Sequence, residues 1–491
     1  MQKFSIIYNG STLSSVFGYL GLLLLAAFAG LIAVTGSPML IGGFAALILG
    51  MALMFSPQFL FFAALIFALV ISGLAEFYLR VGQANWGASG IVLLLGGAAL
   101  LSALGKTRSL PTALTKSVMP AVLAYVLALL VASLLNGISP LQFLVGVRNY
   151  LPFIGVFIAC RYLATDSTLS KMPTMLVGIA LLQLPFCLHQ ALVVAPMRQH
   201  SLAAIGGGAE AIVGTFGGDP LGGGYTGEMA VFVLIAACIS FAVKPQGRLV
   251  RIAFRLMPIA ALACIGMAET KIVFVLAPIM LVVVFLEELR SSPTRMFALL
   301  LGGGAMLGIL AGIYAWRFWS AGSDEFWHAF TYSFDPNFMV DRLHRGRVAA
   351  LVHWWNNNIL DFDFLHAMFG YGMASTLEAS RVLGEGNAVR SFGYGLDAHA
   401  ANKLLWDSGL TGFLMFCVVI GRTALNAHRI VASGLCSGNH LGMLKVARGA
   451  MFGFAVMLPY QVSMVGGAPM QVLFWLFVGY VEYCRCTKHS S

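Results

Sequence analysis

Residues Ser391 to Phe413 read SFGYGLDAHAANKLLWDSGLTGF. A polar, glycine-broken lead-in reaches His399, an amphipathic turn carries Asn402 and Lys403, and Gly409-Leu-Thr-Gly412 then opens an apolar run. That order marks a water-exposed segment re-entering a membrane, with an imidazole set at the boundary. On a helix beginning here, Asn402 and Lys403 follow His399 at i+3 and i+4 and share its face, while Asp397 lies just before it.

Working outward, the composition is that of a membrane protein. Of 491 residues, 59% are hydrophobic and only 10% charged, where a soluble chain carries about 25% charged residues. Roughly 20 apolar residues cross a bilayer. About fourteen such runs are present, so 12–14 spans are expected; they lie near 16–35, 39–56, 58–76, 87–104, 117–135, 140–163, 172–195, 226–243, 250–268, 270–286, 297–317, 404–421, 445–463 and 467–483. The expectation is an all-α polytopic membrane protein. Its first apolar run is long enough to span and lacks a small-residue cleavage site, so no cleaved signal peptide is expected.

The net charge of +10 would suit nucleic acid only if the cations were gathered, and they are dispersed, so no nucleic-acid partner is expected. They follow topology instead. With the N-terminus inside, Lys3, Lys106, Arg108, Lys116, Arg161, Lys171, Lys244, Arg248, Arg251, Arg255, Arg290, Arg295, Arg422, Arg429, Lys445, Arg448, Arg485 and Lys488 fall in alternating short segments, as the positive-inside rule requires. Both termini are then cytoplasmic. The chain divides into residues 1–317 with eleven spans, a large exterior loop 318–403, and a final part 404–491 with three spans and a tail. A loop of about 85 residues exceeds an ordinary connector and points to function. The eight cysteines lie in apolar runs or in segments assigned to the cytoplasm, so no disulfide framework is expected.

Cations that defy the rule mark candidate sites. Arg148 lies inside the run LQFLVGVRNYLPFIGVFIAC, where an arginine costs roughly 2.5–3.5 kcal/mol unless a carboxylate, snorkelling or an anionic ligand offsets it. Lys271 follows Glu269 in a tight turn at the exterior start of a span, where the helix dipole favours anions; a local Glu–Lys pair is the bland alternative. Arg342, Arg345 and Arg347 recur at helical spacing within an amphipathic helix expected from Asp341 to Asn357, and Arg198 precedes a glycine-rich loop that carries Gly214-Thr-Phe-Gly-Gly218. Phe369-Gly-Tyr-Gly372 recurs as Phe392-Gly-Tyr-Gly395, read as two similar turns flanking a site.

Among the ten histidines no HExxH or paired His/Cys spacing appears, so neither a metal nor a cofactor is expected. Asp361-Phe-Asp363 resembles the DxD of nucleotide-sugar enzymes, but it lies outside, where nucleotide sugars are absent. His399 is the candidate base; Lys403 nearby would lower its pKa and Asp397 would raise it.

The span count, the one large late loop, His399 followed by Gly409-x-x-Gly412, Arg347 with Trp354-Trp355 and FGYG at 369–372, and GTFGG at 214–218 together resemble the bacterial O-antigen ligase and Wzy-type polymerase superfamily, over roughly residues 120–480. The resemblance implies a GT-C-type glycosyltransferase bundle in the bacterial inner membrane, with its active site facing the periplasm. It implies glycan transfer from an undecaprenyl-pyrophosphate-linked donor, metal-independent and inverting, to a glycan acceptor. It further implies His399 as base, with Lys271 and Arg347 on the pyrophosphate, Arg148, Arg345 and Arg198 as further candidates, and Asn402, Lys403, Asp397, Gly409 and Gly412 in support. A flippase and a chain-length regulator are candidate partners. Lys271 stands where the family usually has arginine, and no arginine precedes the GTF segment, where Glu210-Ala-Ile-Val213 is found. Ala400 stands where ligases carry a small polar residue, which favours a polymerase acting on a lipid-linked repeat unit over a ligase acting on lipid A-core. A flippase or transporter is the third reading; it suits the span count but lacks the internal repeat such proteins often show.

Overall fold

The computed structural model describes residues 57–104, 116–199, 208–221, 223–292, 344–378 and 384–487, with isolated positions between 294 and 339. The spans expected near 16–35 and 39–56, most of that near 297–317, and Arg342 lie outside them; the helix expected from Asp341 to Asn357 begins only at Arg347, with Arg345 in an antiparallel bridge to Met339. The chain divides into two units, Met1–Leu60 and Phe61–Ser491, and the elements that build the site belong to the second.

The described residues are almost wholly helical. In order they form α1 (Pro57–Leu79), α2 (Ala84–Leu104), α3 (Met119–Leu135), α4 (Pro140–Tyr150), α5 (Ile154–Tyr162) and α6 (Asp166–Arg198). A small antiparallel ribbon of β1 (Gly218–Asp219) and β2 (Gly223–Gly224) leads into α7 (Thr226–Ala242), α8 (Arg248–Ala268) and α9 (Val273–Val284). Within the 318–403 segment lie α10 (Arg347–Trp355), α11 (Phe364–Phe369) and α12 (Asn387–Phe392), followed by α13 (Ala400–Ala432), α14 (Gly438–Met457), α15 (Ser463–Gly466) and α16 (Ala468–Thr487). Helices α1, α2, α6, α8 and α13 are long and apolar enough to cross a membrane, and the pair α4–α5 passes as a sixth span if taken together. The chain is a multi-pass, all-helical membrane protein.

One expected span is corrected. The run near 140–163 is not straight: α4 and α5 meet at 51°. Pro152 lacks an N–H, and its ring clashes with the carbonyl four residues back, which favours a kink or break here. The bend leaves Arg148 in the last turn of α4, where the carbonyl end of the helix favours a cation.

α13 packs on α14, α3 and α16, while α7 packs on α8, α6 and α14. Within α13 the backbone breaks at Gly409, which takes φ 66° and ψ −169°. A Cβ there would lie 2.4 Å from the backbone of Met368, and one on Gly370 would lie 2.6 Å from the amide of Gly409. Neither position has room for a side chain, which is why α11 can seat against the break.

The described part of the 318–403 segment has an aromatic core of its own. Trp354, Ala388, Val389 and Leu396 bury together with Leu405 and Trp406 from the first turns of α13. Tyr371 and Tyr394, the tyrosines of the two FGYG stretches, pack against this cluster. Asp407 ties the segment to the bundle: its carboxylate accepts from Tyr150 Oη at 2.6 Å, Ser375 Oγ at 2.6 Å, and the amides of Ala374 (3.2 Å) and Thr376 (3.1 Å).

Candidate functional site

At the end of the bundle where α7, α9 and α13 begin and α8 and α14 finish, a cavity of about 380 Å³ opens. Its wall includes Thr226 and Gly227 from α7, Glu269 and Lys271 from the α8–α9 turn, Arg347 from the start of α10, and Tyr460 and Gln461 from the turn after α14. Glu210 lies on the rim formed by the segment before β1. Elements far apart in sequence thus place Lys271 and Arg347 on a common space.

Each cation is held in a definite way. α8 ends at Glu269, whose φ of 49° is left-handed, so the chain reverses at once and presents Lys271 before α9 starts. Arg347 is the first residue of α10. Its Nε donates to the Tyr460 carbonyl at 3.0 Å, and its guanidinium lies 4.2 Å over the Tyr460 ring. One edge of the fork and one face are therefore fixed by the protein. Arg198 is buried behind the rim, donating to Glu210 Oε2 at 3.2 Å and to the Pro220 carbonyl at 3.4 Å.

The other two candidate cations are not brought to this cavity. Arg345 donates to the Tyr394 carbonyl at 2.7 Å, within the 318–403 segment. Arg148 lies 4.4 Å over the Trp86 ring and lines a separate small pocket with Asn85, Ser89, Asn149 and Gln471. The FGYG stretches likewise flank the aromatic core and not the cavity.

His399 stands immediately behind the cavity wall. It is fully buried and caps α13, its Nδ1 accepting from the Asn402 amide at 3.1 Å. Because Nδ1 accepts, the ring proton is on Nε2, which donates to the Arg347 carbonyl at 3.2 Å. The next two amides of α13 are also engaged: Ala400 donates to the Gln461 carbonyl at 3.0 Å and Ala401 to that of Leu458 at 2.9 Å. The histidine thereby joins the start of α10, the start of α13 and the 458–461 turn, which are the pieces that carry Arg347, Tyr460 and Gln461.

The electrostatics of His399 correct one expectation. Its pKa is pushed down to about 4, and burial is the main cause. The Arg347 charge adds to that effect, while the accepting carbonyls of Arg347 and Leu458 oppose it. Lys403 and Asp397, expected to set this value, are not among its causes. Burial raises the Asp397 carboxyl and Lys403 pulls it back. Lys403 itself is buried, its Nζ directed at Gly466. Asn402 donates its amide Nδ2 to the Leu396 carbonyl at 2.6 Å, and Gly412 leaves room for Ser408, since a Cβ there would lie 2.0 Å from Ser408 Oγ. These are supports of the helix start and of the break, not cavity residues.

Several residues of the wall are not legible from sequence. Tyr460 and Gln461 sit inside an apolar run that reads as continuous span, and only Pro459 and the following Gly466-Gly467 hint at a turn. Behind the wall, Glu228 in the first turn of α7 is buried and interacts electrostatically with Arg347. The Asp361-Phe-Asp363 pair is explained locally. Asp363 caps α11 through the His366 amide and pairs with His366 Nδ1 at 2.6 Å. Among the described residues, no three His, Cys, Asp or Glu side chains gather in a metal-ligating group.

Neither protein-family models nor curated proteins give a match to this sequence.

Proposed function

We propose that the protein is a membrane glycosyltransferase of the GT-C type. It moves a glycan from an undecaprenyl-pyrophosphate carrier to a hydroxyl of a lipid-linked repeat unit, at the periplasmic face of the bacterial inner membrane. The observation that carries this reading is the convergence of Lys271 and Arg347 on one cavity at the end of an apolar bundle, with His399 directly behind Arg347.

The chemistry asks little else of the protein. The bond between the anomeric carbon and the pyrophosphate oxygen breaks, and its electron pair leaves with the pyrophosphate. Lys271 and Arg347 stabilise that charge in a site partly closed to water. The acceptor hydroxyl attacks from the opposite face, which inverts the anomeric centre. Its proton goes to His399, which is neutral at physiological pH and must first release the Asn402 amide to present Nδ1. Catalytic hydrogen bonds commonly form only in the loaded complex.

The test is direct. Purified protein given lipid-linked repeat units alone should yield a ladder of longer products. A single transfer to lipid A-core with no ladder identifies a ligase instead, and failure to bind undecaprenyl pyrophosphate at all removes both readings.

A further inference from the structure

We propose that residues Leu360 to Met368 of the exterior segment form an interfacial element that lies in the outer boundary of the bilayer and is covered by lipid.

The depth of this stretch is set by two membrane helices. On one side α11 seats on the Gly409 break of α13, and Thr411 Oγ1 donates to the Met368 carbonyl at 2.8 Å. On the other, Asn136, the residue that ends α3, donates from Nδ2 to the Gly370 carbonyl at 2.8 Å and accepts from His366 Nε2 at 2.9 Å. The run 117–135 and the run beginning after Gly409 both have these ends on the exterior side by the charge pattern. The short helix is therefore pinned level with the point where two spans leave the membrane.

Its outward face is apolar. Leu360, Phe362, Phe364 and Leu365 are each more than half exposed, Phe362 at 74%. Phe362 adopts a left-handed φ of 59°, a conformation that costs a bulky residue free energy. In exchange its ring stands outward beside Phe364, with centroids 5.8 Å apart. The inward face is the polar one: Asp363, His366 and Asn136 bond one another, and the His366 ring stacks on Tyr371 at 4.0 Å.

Lipid is the occupant that the geometry points to, because the patch continues a face already turned to lipid. On α13, Leu414, Val418 and Leu425 follow Thr411 at i+3, i+7 and i+14, and all three are exposed. Leu134 and Leu135, at the end of α3, are exposed beside Asn136. No lysine or arginine lies between 360 and 368 and His366 faces inward on Asp363 and Asn136, so apolar insertion and not attraction to anionic headgroups holds the element, with the exposed Asp361 at headgroup level. This inference rests on the membrane character of the helices and is independent of the glycan chemistry.

Site-directed nitroxide labels test it in the full-length protein. Phe362→Cys, Phe364→Cys and, as a lipid-facing reference, Leu414→Cys are labelled in phosphatidylcholine nanodiscs, with the unsubstituted protein supplying the background from native cysteines. The expected result is that labels at 362 and 364 collide more with dissolved oxygen than with a water-soluble nickel chelate, at a depth shallower than the label at 414. Substituting phosphatidylglycerol for a third of the lipid should leave that depth unchanged. Preferential collision with the nickel chelate overturns the proposal, as does occlusion from both reagents, which would mean a protein covers the patch. Insertion seen only with phosphatidylglycerol overturns the apolar mechanism.

Discussion

The Nε2 proton of His399 is donated to the backbone carbonyl of Arg347 at 3.2 Å. This single bond joins the residue most legible as a base to the residue most legible as a phosphate ligand, and it does so through the main chain. A change at 399 therefore moves Arg347 even where it leaves every charge in place.

His399 is neutral in the folded protein down to about pH 4, against 6.5 for the free side chain. Between those values the unfolded chain binds a proton that the folded one does not. The stabilising contribution is thus complete above about pH 6.5 and is lost as pH falls toward 4; it amounts to roughly 3 kcal/mol at most. His399→Asn, which keeps an oxygen to cap α13, should flatten the fall in thermal stability over that window. An unchanged slope in the variant contradicts the assignment. At neutral pH His399→Ala should cost about 1–2 kcal/mol more than His399→Asn, through the lost cap.

Lys271→Ala and Arg347→Ala should each weaken binding of undecaprenyl pyrophosphate by about tenfold or more, since a charge-assisted hydrogen bond contributes roughly 1.5–3 kcal/mol. Arg347→Lys should not restore it, because a lysine cannot both stack on Tyr460 and donate through a planar fork. Arg148→Ala should leave the affinity within about twofold of the native protein. Equal losses at 148 and 271 would show that the two pockets act as one. Equilibrium binding with labelled carrier lipid in nanodiscs reads all four.

Gly409→Ala should prevent stable folding or cost several kcal/mol. The added methyl meets the Met368 backbone at 2.4 Å, and φ of 66° is unfavourable for alanine by about 1–2 kcal/mol before any clash. Detergent-solubilised thermal unfolding, or loss of monodisperse protein, measures it.

Asp407→Asn should destabilise the fold by about 3 kcal/mol or more, because an amide nitrogen would then face a set of donors in a buried place. Any protein that does fold should bind undecaprenyl pyrophosphate normally, since Asp407 serves Tyr150, Ser375 and the 374–376 turn and lies outside the cavity wall. Thermal unfolding paired with the binding assay separates the two effects.

Much of this protein was determined by sequence alone, because a bilayer imposes a local rule. An apolar run of sufficient length must be a helix that satisfies its own backbone. The positions of α1, α2, α6, α8 and α13 follow from that, and so does the placing of His399 at the start of a helix whose amides need a cap. The bend between α4 and α5 was not read from the sequence, because length and hydropathy make 140–163 one run.

Which cations share a space was not legible. By topology alone Lys271, Arg347 and Arg148 are alike, since each breaks the same rule; only the family resemblance set the first two ahead. Only the packing of α7, α8, α9 and α14 brings the first two together and leaves the third on Trp86. Tyr460 and Gln461 were invisible for the same reason: their role lies in two carbonyls, one ring and a turn, and a carbonyl has no signature in the sequence. Local pattern specifies which segments are helical because each residue senses its own solvent; the tertiary structure decides the site because a binding site is a relation among residues that the chain does not connect.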